Sequence, residues 1–192
     1  MDEPQPIQLL EVDQLKVKIF DTRQAMGVAA GQQVAGQMRQ LLQEQPRVRV
    51  IFAAAPSQNE FLASLGAAEG LDWDRVEAFH MDDYVGLPEG APQRFSTFLR
   101  EHLFDRVKPG RIEYIRAEAA DVQGECERYE ALLREAPIDI VCAGIGENGH
   151  MAFNDPPVAD FDDKRWVKQV MLDDVCRWQQ VHDGAFPSFE AV

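Results

Sequence analysis

Positive charge is what this chain has least of. Its 192 residues carry 19 Lys and Arg against 33 Asp and Glu, a formal net charge of −14. Nucleic acid and anionic membrane surfaces both need a basic patch, so both are excluded as partners. The same charge sets a constraint: an anionic substrate would meet an opposing field, and local donors would have to overcome it. No stretch approaches the roughly 18 consecutive apolar residues of a membrane span. The opening MDEPQPIQLLEVD is acidic and lacks the basic-then-apolar layout of a signal peptide, so the expected location is cytoplasmic. Cysteines number three, Cys126, Cys142 and Cys176. They are widely spaced, form no CxxC pair, and read as small thiols in a reducing compartment. HExxH, HxH and GxSxG patterns are missing too, which argues against a metal centre and a serine nucleophile.

What is present is an alternation of element types. Ile7, Leu9 and Leu10 make a short lead-in with a candidate edge strand, and residues 13–45 read as helix. Residues 48–54 are a strand, and 56–60 open a helix with Ser57 and Glu60 spaced as a capping box. Residues 75–80 are a strand, 95–104 a helix, 112–115 a strand and 122–135 a helix. Residues 138–143 are a buried strand, 166–170 a candidate strand and 173–180 a short helix. Such alternation predicts an α/β fold, a mostly parallel sheet with helices on both faces. Nothing splits residues 1–192 into more than one domain. The apolar ending, residues 186–192, carries no closing element, so the last elements of the domain are expected to be missing.

Residues 138–156, IDIVCAGIGENGHMAFNDP, organise the rest. An apolar strand empties into Gly144, Gly146 and Gly149, with Glu147, Asn148, His150, Asn154 and Asp155 in and after the loop. In an open α/β sheet the ligand site lies at such strand ends. A neighbouring strand ends in Asp82 and Asp83, another in the Ser57 turn, whose helix start offers free N–H groups to an anion. Two acids from one strand plus an imidazole and acids from another make a general acid–base set. The alternatives are plain ones: Asp82 and Asp83 as turn caps, and His150 as a satisfied half-buried histidine.

Residues 79–87, FHMDDYVGL, and 144–156, GIGENGHMAFNDP, resemble the glucosamine-6-phosphate deaminase/isomerase family. That family shows M-D-E-Y-x-G-L and G-x-G-x-[DN]-G-H-x-A-F-N-E-P segments, and the similarity runs over nearly the whole chain. The resemblance implies a Rossmann-like modified fold and a metal-free, cofactor-free aldose–ketose isomerisation with loss of ammonia, on a small sugar phosphate and in a chain that can form homo-oligomers. It implies Asp82 as proton shuttle and His150 as ring-opening acid/base. Asn148 stands where many members carry an aspartate that orients the histidine, and Asp155 where they carry a glutamate. Ser57, Gln58, Asp83, Gly146, Gly149 and Lys168 are the implied substrate contacts, with Arg165 and Arg177 as further cations. The family's phosphate-binding arginine falls near Gln179 and Gln180, and its lysine in a segment this chain lacks. A divergent amino-sugar-phosphate deaminase is expected. The alternatives are a 6-phosphogluconolactonase-like hydrolase and a non-catalytic sugar-phosphate-binding relative.

Overall fold

The computed structural model describes residues 4–192. Its centre is a four-stranded, all-parallel sheet in the order β5-β4-β3-β6. Here β3 is Val48–Phe52, β4 Val76–His80, β5 Arg111–Glu113 and β6 Ile140–Cys142. The register sets Phe52 beside His80 on one side and beside Cys142 on the other. Three strands therefore end level, which brings the loops after them together.

Helices cover both faces, as the alternation predicts. Side chains alternate along a strand, so Val48, Val50 and Phe52 point one way. They meet Met38 and Leu42 of α1 (Arg23–Glu44) and Leu62 and Leu65 of α2 (Asn59–Gly66). Leu99, Leu103 and Phe104 come from α3, which starts at Phe95–Leu99 and runs on through a π turn, Arg100–Phe104. Each such buried Leu contributes about 1.5–3 kcal/mol. On the opposite face Ile51 and Phe79 meet Tyr129 and Leu133 of α4 (Val122–Arg134). A last helix, α5 (Asp174–His182), returns over the strand ends. The α1–α2 approach explains two glycines. A Cβ on Gly27 would lie 2.4 Å from the Cβ of Glu60, and one on Gly31 2.6 Å from the Cβ of Ser64.

Four expectations are corrected. Residues 13–22 are not helical: β1 (Gln8–Val12) and β2 (Leu15–Ile19) form an antiparallel hairpin turning at Asp13, with φ 53°. Helix α1 begins only after Thr22, whose side chain accepts from the Ala25 N–H. Ser57 does not cap α2; Glu60 turns instead to Arg23, 2.8 Å away. Residues 166–170 form no strand, because Trp166 lies under the Arg134 guanidinium and the segment pairs with no sheet edge. Strand β6 is not an interior strand but an edge, and Val141 is 56% exposed.

One buried cation ties α4 to the sheet. Arg49, 4% exposed on β3, pairs with Glu77 of β4 at 3.1 Å. It also donates to the carbonyls of Leu132, Leu133 and Ala136 at the end of α4. Those carbonyls are the negative end of the helix dipole. Removing the cation leaves three carbonyls at the end of α4 without their donor, while Glu77 keeps Arg47 at 2.7 Å, so Arg49→Met is expected to cost at least about 2 kcal/mol in chemical denaturation. A loss below about 1 kcal/mol would show that the guanidinium does not hold α4 in place.

Candidate active site

The loops after β3, β4 and β6 and the inner side of α5 enclose one cleft. It is lined by Ala53–Gln58, Met81 and Asp82, Gly144–Gly146, His150, Phe153, and Gln179, Gln180 and Asp183. The sheet thus brings Ser57, Gln58, Asp82, Gly146 and His150 to one place, as the strand-end argument requires. Among the described residues that line the cleft there is no lysine or arginine.

The end of β4 is rigidly fixed. Tyr129 Oη donates to the His80 carbonyl at 2.8 Å and accepts from the His80 N–H at 3.0 Å. The His80 ring accepts from the Ile115 N–H through Nε2, at 2.9 Å, so Nδ1 carries the proton and donates to the Asp82 carbonyl, also at 2.9 Å. Burial lowers the His80 pKa, which keeps this neutral tautomer. Sequence reasoning placed His80 at a strand end and weighed it, with Asp82 and His150, as a metal ligand that no motif spacing supports. Its ring is what holds the backbone of Asp82.

Two adjacent acids then diverge. Asp83 is fully buried and satisfied: Oδ1 accepts from the Tyr84 and Phe95 N–H groups, and Oδ2 from Arg94 Nε at 3.2 Å and Ser96 Oγ at 3.0 Å. Its role here is to fasten the loop before α3, and all its lone pairs face protein. Asp82 lines the cleft with no cation beside it. Burial, then the charge of Asp83, pushes its carboxyl up to about 8.

The facing wall is the glycine-rich loop. The Gly146 N–H donates to the His150 carbonyl and the Gly149 N–H to the Gly146 carbonyl, each at 2.9 Å, with Gly149 at φ 86°. The imidazole lies so close over Gly146 that a Cβ there would sit 2.2 Å from its Cε1. His150 Nδ1 stands 2.9 Å from Asp155 Oδ1, but its N–H is out of line with that oxygen, so no well-formed hydrogen bond joins them. Asp155 is fully buried. It accepts from Asn148 Nδ2 at 2.9 Å and from the Asp173 N–H at 2.8 Å. Asn148 also donates to the Asp173 carboxylate at 3.0 and 3.1 Å, while its own Oδ1 accepts from the His150 N–H. Asn148 therefore touches the histidine's backbone and not its ring. The acid beside the ring is Asp155.

Lys168 is elsewhere. Its Nζ is held by Asp163 and the Val158 carbonyl, both at 2.9 Å, away from the cleft. Arg165 is paired with Asp163, and Arg177 lies over Phe189. The cation at the Ser57 turn is Arg23, which donates to the Pro56 carbonyl and pairs with Glu60. Asp173, Gln179, Gln180 and Asp183 were not singled out as acid–base partners in the sequence. The signal for Asp173 was its place as N-cap of α5, where it accepts from the Cys176 N–H at 2.7 Å.

Asn148 is the neutral bridge between two carboxylates. In Asn148→Asp a donor becomes a third negative charge, and hydrogen bonds to charged groups are worth about 1.5–3 kcal/mol each. This variant is expected to lose at least about 2 kcal/mol in denaturation. Unchanged stability would mean that the bridge carries no load.

Comparison with known proteins follows the same lines. The family described as glucosamine-6-phosphate isomerases/6-phosphogluconolactonase matches residues 21–172. Glucosamine-6-phosphate deaminase 1 of Giardia intestinalis is 45% identical over 98 residues, 50% of this chain and 37% of that protein. The chain thus spans well under two thirds of that relative. A monomeric glucosamine-6-phosphate deaminase superposes with TM-score 0.78 at 26% identity, over 89% of this chain and 70% of the other. A 6-phosphogluconolactonase from Thermotoga maritima gives 0.58 at 25% identity, over 64% and 56%. With more than half of its length matched, from the end of the hairpin to the start of α5, the chain belongs to the glucosamine-6-phosphate isomerase/6-phosphogluconolactonase family.

Proposed function

We propose that this chain carries the acid–base centre of an amino-sugar-phosphate deaminase acting on glucosamine 6-phosphate or a close analogue. The observation that carries this reading is Asp82: a carboxyl facing the cleft, without a cation, and pushed up to about 8. Such a group accepts and returns a proton near neutral pH, which is what an isomerisation asks of its base. His150, also lining the cleft, serves ring opening by moving a proton to the ring oxygen and from the C1 hydroxyl. Asp82, as carboxylate, then takes the proton from C2. The same carboxyl returns it to C1 while one ammonium proton passes to O1, leaving an iminium at C2. Water adds there and ammonia departs, giving the ketose phosphate.

Asp155 and Asn148 are positioning residues in this scheme. With the proton on Nδ1 facing Asp155, Nε2 is free to accept. Ser57 and Gln58 are the proposed donors to substrate oxygens; the amides of Gly146 and Gly149 are taken by the carbonyls of His150 and Gly146 and serve to shape the loop, and Gly149 does not line the cleft. Asp83 and Lys168 take supporting parts, one fixing the Asp82 loop and the other fixing the stretch near Asp163. The family also includes lactonases, and hydrolysis of a lactone needs no proton carried between two carbons. Asp82 therefore separates the two activities. Among the described residues no helix is long and apolar enough to cross a membrane.

The deciding experiment is ammonia release from glucosamine 6-phosphate beside hydrolysis of 6-phosphogluconolactone. Ammonia release is expected, with a loss of about 10²–10⁴ in rate for Asp82→Asn. Lactone hydrolysis without ammonia would replace the deaminase reading by the lactonase one. Because the base must be ionised, kcat/KM should rise with pH and level off above about 8.

The same carboxyl makes a prediction about folding. Its pKa is about 8 in the fold against 3.8 for an unperturbed aspartate. Between those values only the unfolded chain releases the proton, so the wild type loses stability as pH rises. Asp82→Asn should therefore melt higher than wild type, the gap opening from about pH 4 to about pH 8. A constant gap across that range would contradict the raised pKa.

A further inference from the structure

Behind the cleft wall, three potential metal ligands converge. A nitrogen of His150, a carboxylate oxygen of Asp155 and the Sγ of Cys176 all lie within 4.8 Å of one another. A second observation is independent of that clustering. His150 is 9% exposed, and its Nδ1 is buried without a hydrogen-bond partner of acceptable geometry, although Asp155 is 2.9 Å away. An unsatisfied buried ring nitrogen calls for an explanation. We propose that His150, Asp155 and Cys176 form a site for a zinc-class divalent cation, and that its occupancy takes His150 out of proton transfer.

The donor set selects the ion. Imidazole, carboxylate and thiolate together suit Zn²⁺ or Co²⁺ and not Mg²⁺ or Ca²⁺, which prefer oxygen alone. Tetrahedral zinc places its N, O and S ligands about 3.4–3.6 Å apart. The widest separation, within 4.8 Å, must therefore close by about 1 Å while the 2.9 Å His150–Asp155 pair opens by about 0.5 Å, both within reach of a side-chain rotation. Charge also balances: binding displaces the thiol proton, and thiolate plus carboxylate neutralise the dication. The supporting shell already exists, since Asn148 Nδ2 and the Asp173 N–H hold Asp155 in place. His150 lines the cleft, so an ion reaches the triad past its ring, and the fourth position is left for water.

The consequence for catalysis rests on the deaminase reading. A cation on Nδ1 leaves the proton on Nε2, which then can donate but not accept. Zn²⁺ would act as an inhibitor of ring opening, with no part in the chemistry.

The binding test is separate from activity. Co²⁺ added to the full chain is expected to give a thiolate-to-cobalt charge-transfer band that saturates at one ion per chain and is abolished by Zn²⁺. The band should persist in Cys126→Ala and vanish in both Cys176→Ala and Cys176→Ser, each checked for folding by circular dichroism. No band in folded wild type, or a band that survives in a folded Cys176 variant, overturns the site. In the activity arm, Zn²⁺ should suppress wild-type ammonia release reversibly with a chelator. The Cys176 variants should keep basal turnover and need more Zn²⁺ for inhibition, by more than the about 10–100-fold that losing a supporting residue costs. A cobalt band with undiminished turnover at saturating Zn²⁺ overturns the inhibitory role. A protein without ammonia release at any Zn²⁺ level refutes the deaminase reading, and the cobalt spectrum still decides the site.

Discussion

A carboxylate cut off from water must be answered by donors inside the protein, and Asp155 is such a carboxylate. Its hydrogen bonds come from two places, the Asn148 amide in the glycine-rich loop and the Asp173 N–H at the start of α5, while the His150 ring stands beside it without a well-formed bond. Each hydrogen bond to a buried charge is worth about 1.5–3 kcal/mol, and losing one leaves a desolvated ion. The loop after β6 and the return of α5 are therefore one unit. Through it Gln179, Gln180 and Asp183 reach the cleft, and Tyr84 donates across to Gln180. Asn148 matters here because it is neutral. It donates to two carboxylates at once, which an aspartate in the same place could not do.

The opposite wall depends on strand geometry. Where β4 ends, successive side chains enter different surroundings, so Asp82 and Asp83 are neighbours in sequence and strangers in environment. Asp83 receives Arg94, Ser96 and two backbone donors, whereas Asp82 receives none of them. The ionised neighbour adds to the effect of burial on Asp82. Pairs of acids driven apart in this way divide structural from chemical duty. The His80–Tyr129 exchange of hydrogen bonds keeps this division stable, because it fixes the strand end from the α4 side.

Much of this was legible in the residues. Alternating element types gave the α/β fold and its two helical layers, and the residue patterns at 79–87 and 144–156 pointed to the family and placed Asp82 and His150 at strand ends; the two strands are not the neighbours expected, because β3 lies between them. The misreadings have local causes. Residues 15–19, LKVKI, alternate with period two, a strand signal outweighed by the helical run that follows. Residues 166–170 look like a strand because Trp166, Val167 and Val170 favour one, but Trp166 is covered by Arg134 and among the described residues the segment pairs with no sheet edge. The partners of Asn148 could not be read because they are set by tertiary contact, and those of Lys168 because they depend on how an irregular segment folds back on itself. Asp173 lies 25 positions from Asn148, and Lys168 is held by Asp163 and Val158 on its own segment.

The electrostatics of the cleft bear on what it can hold. Its described lining presents Asp82 and Asp183 and no cation, in a chain of net charge −14. Below pH of about 8 Asp82 is largely protonated, so the fixed charge facing a bound ligand is Asp183. A carboxylate in a cleft with low-dielectric walls attracts an ammonium group and repels an anion. Within the proposed chemistry, the amine of an amino sugar is thus the end the cleft favours. In that proposal a phosphate would be met by neutral donors, the Ser57 hydroxyl, the Gln58 amide and the backbone N–H groups at the start of α2. Discrimination between amino sugar and plain sugar then follows from the charge of the wall, while the position of the sugar along it follows from hydrogen bonds.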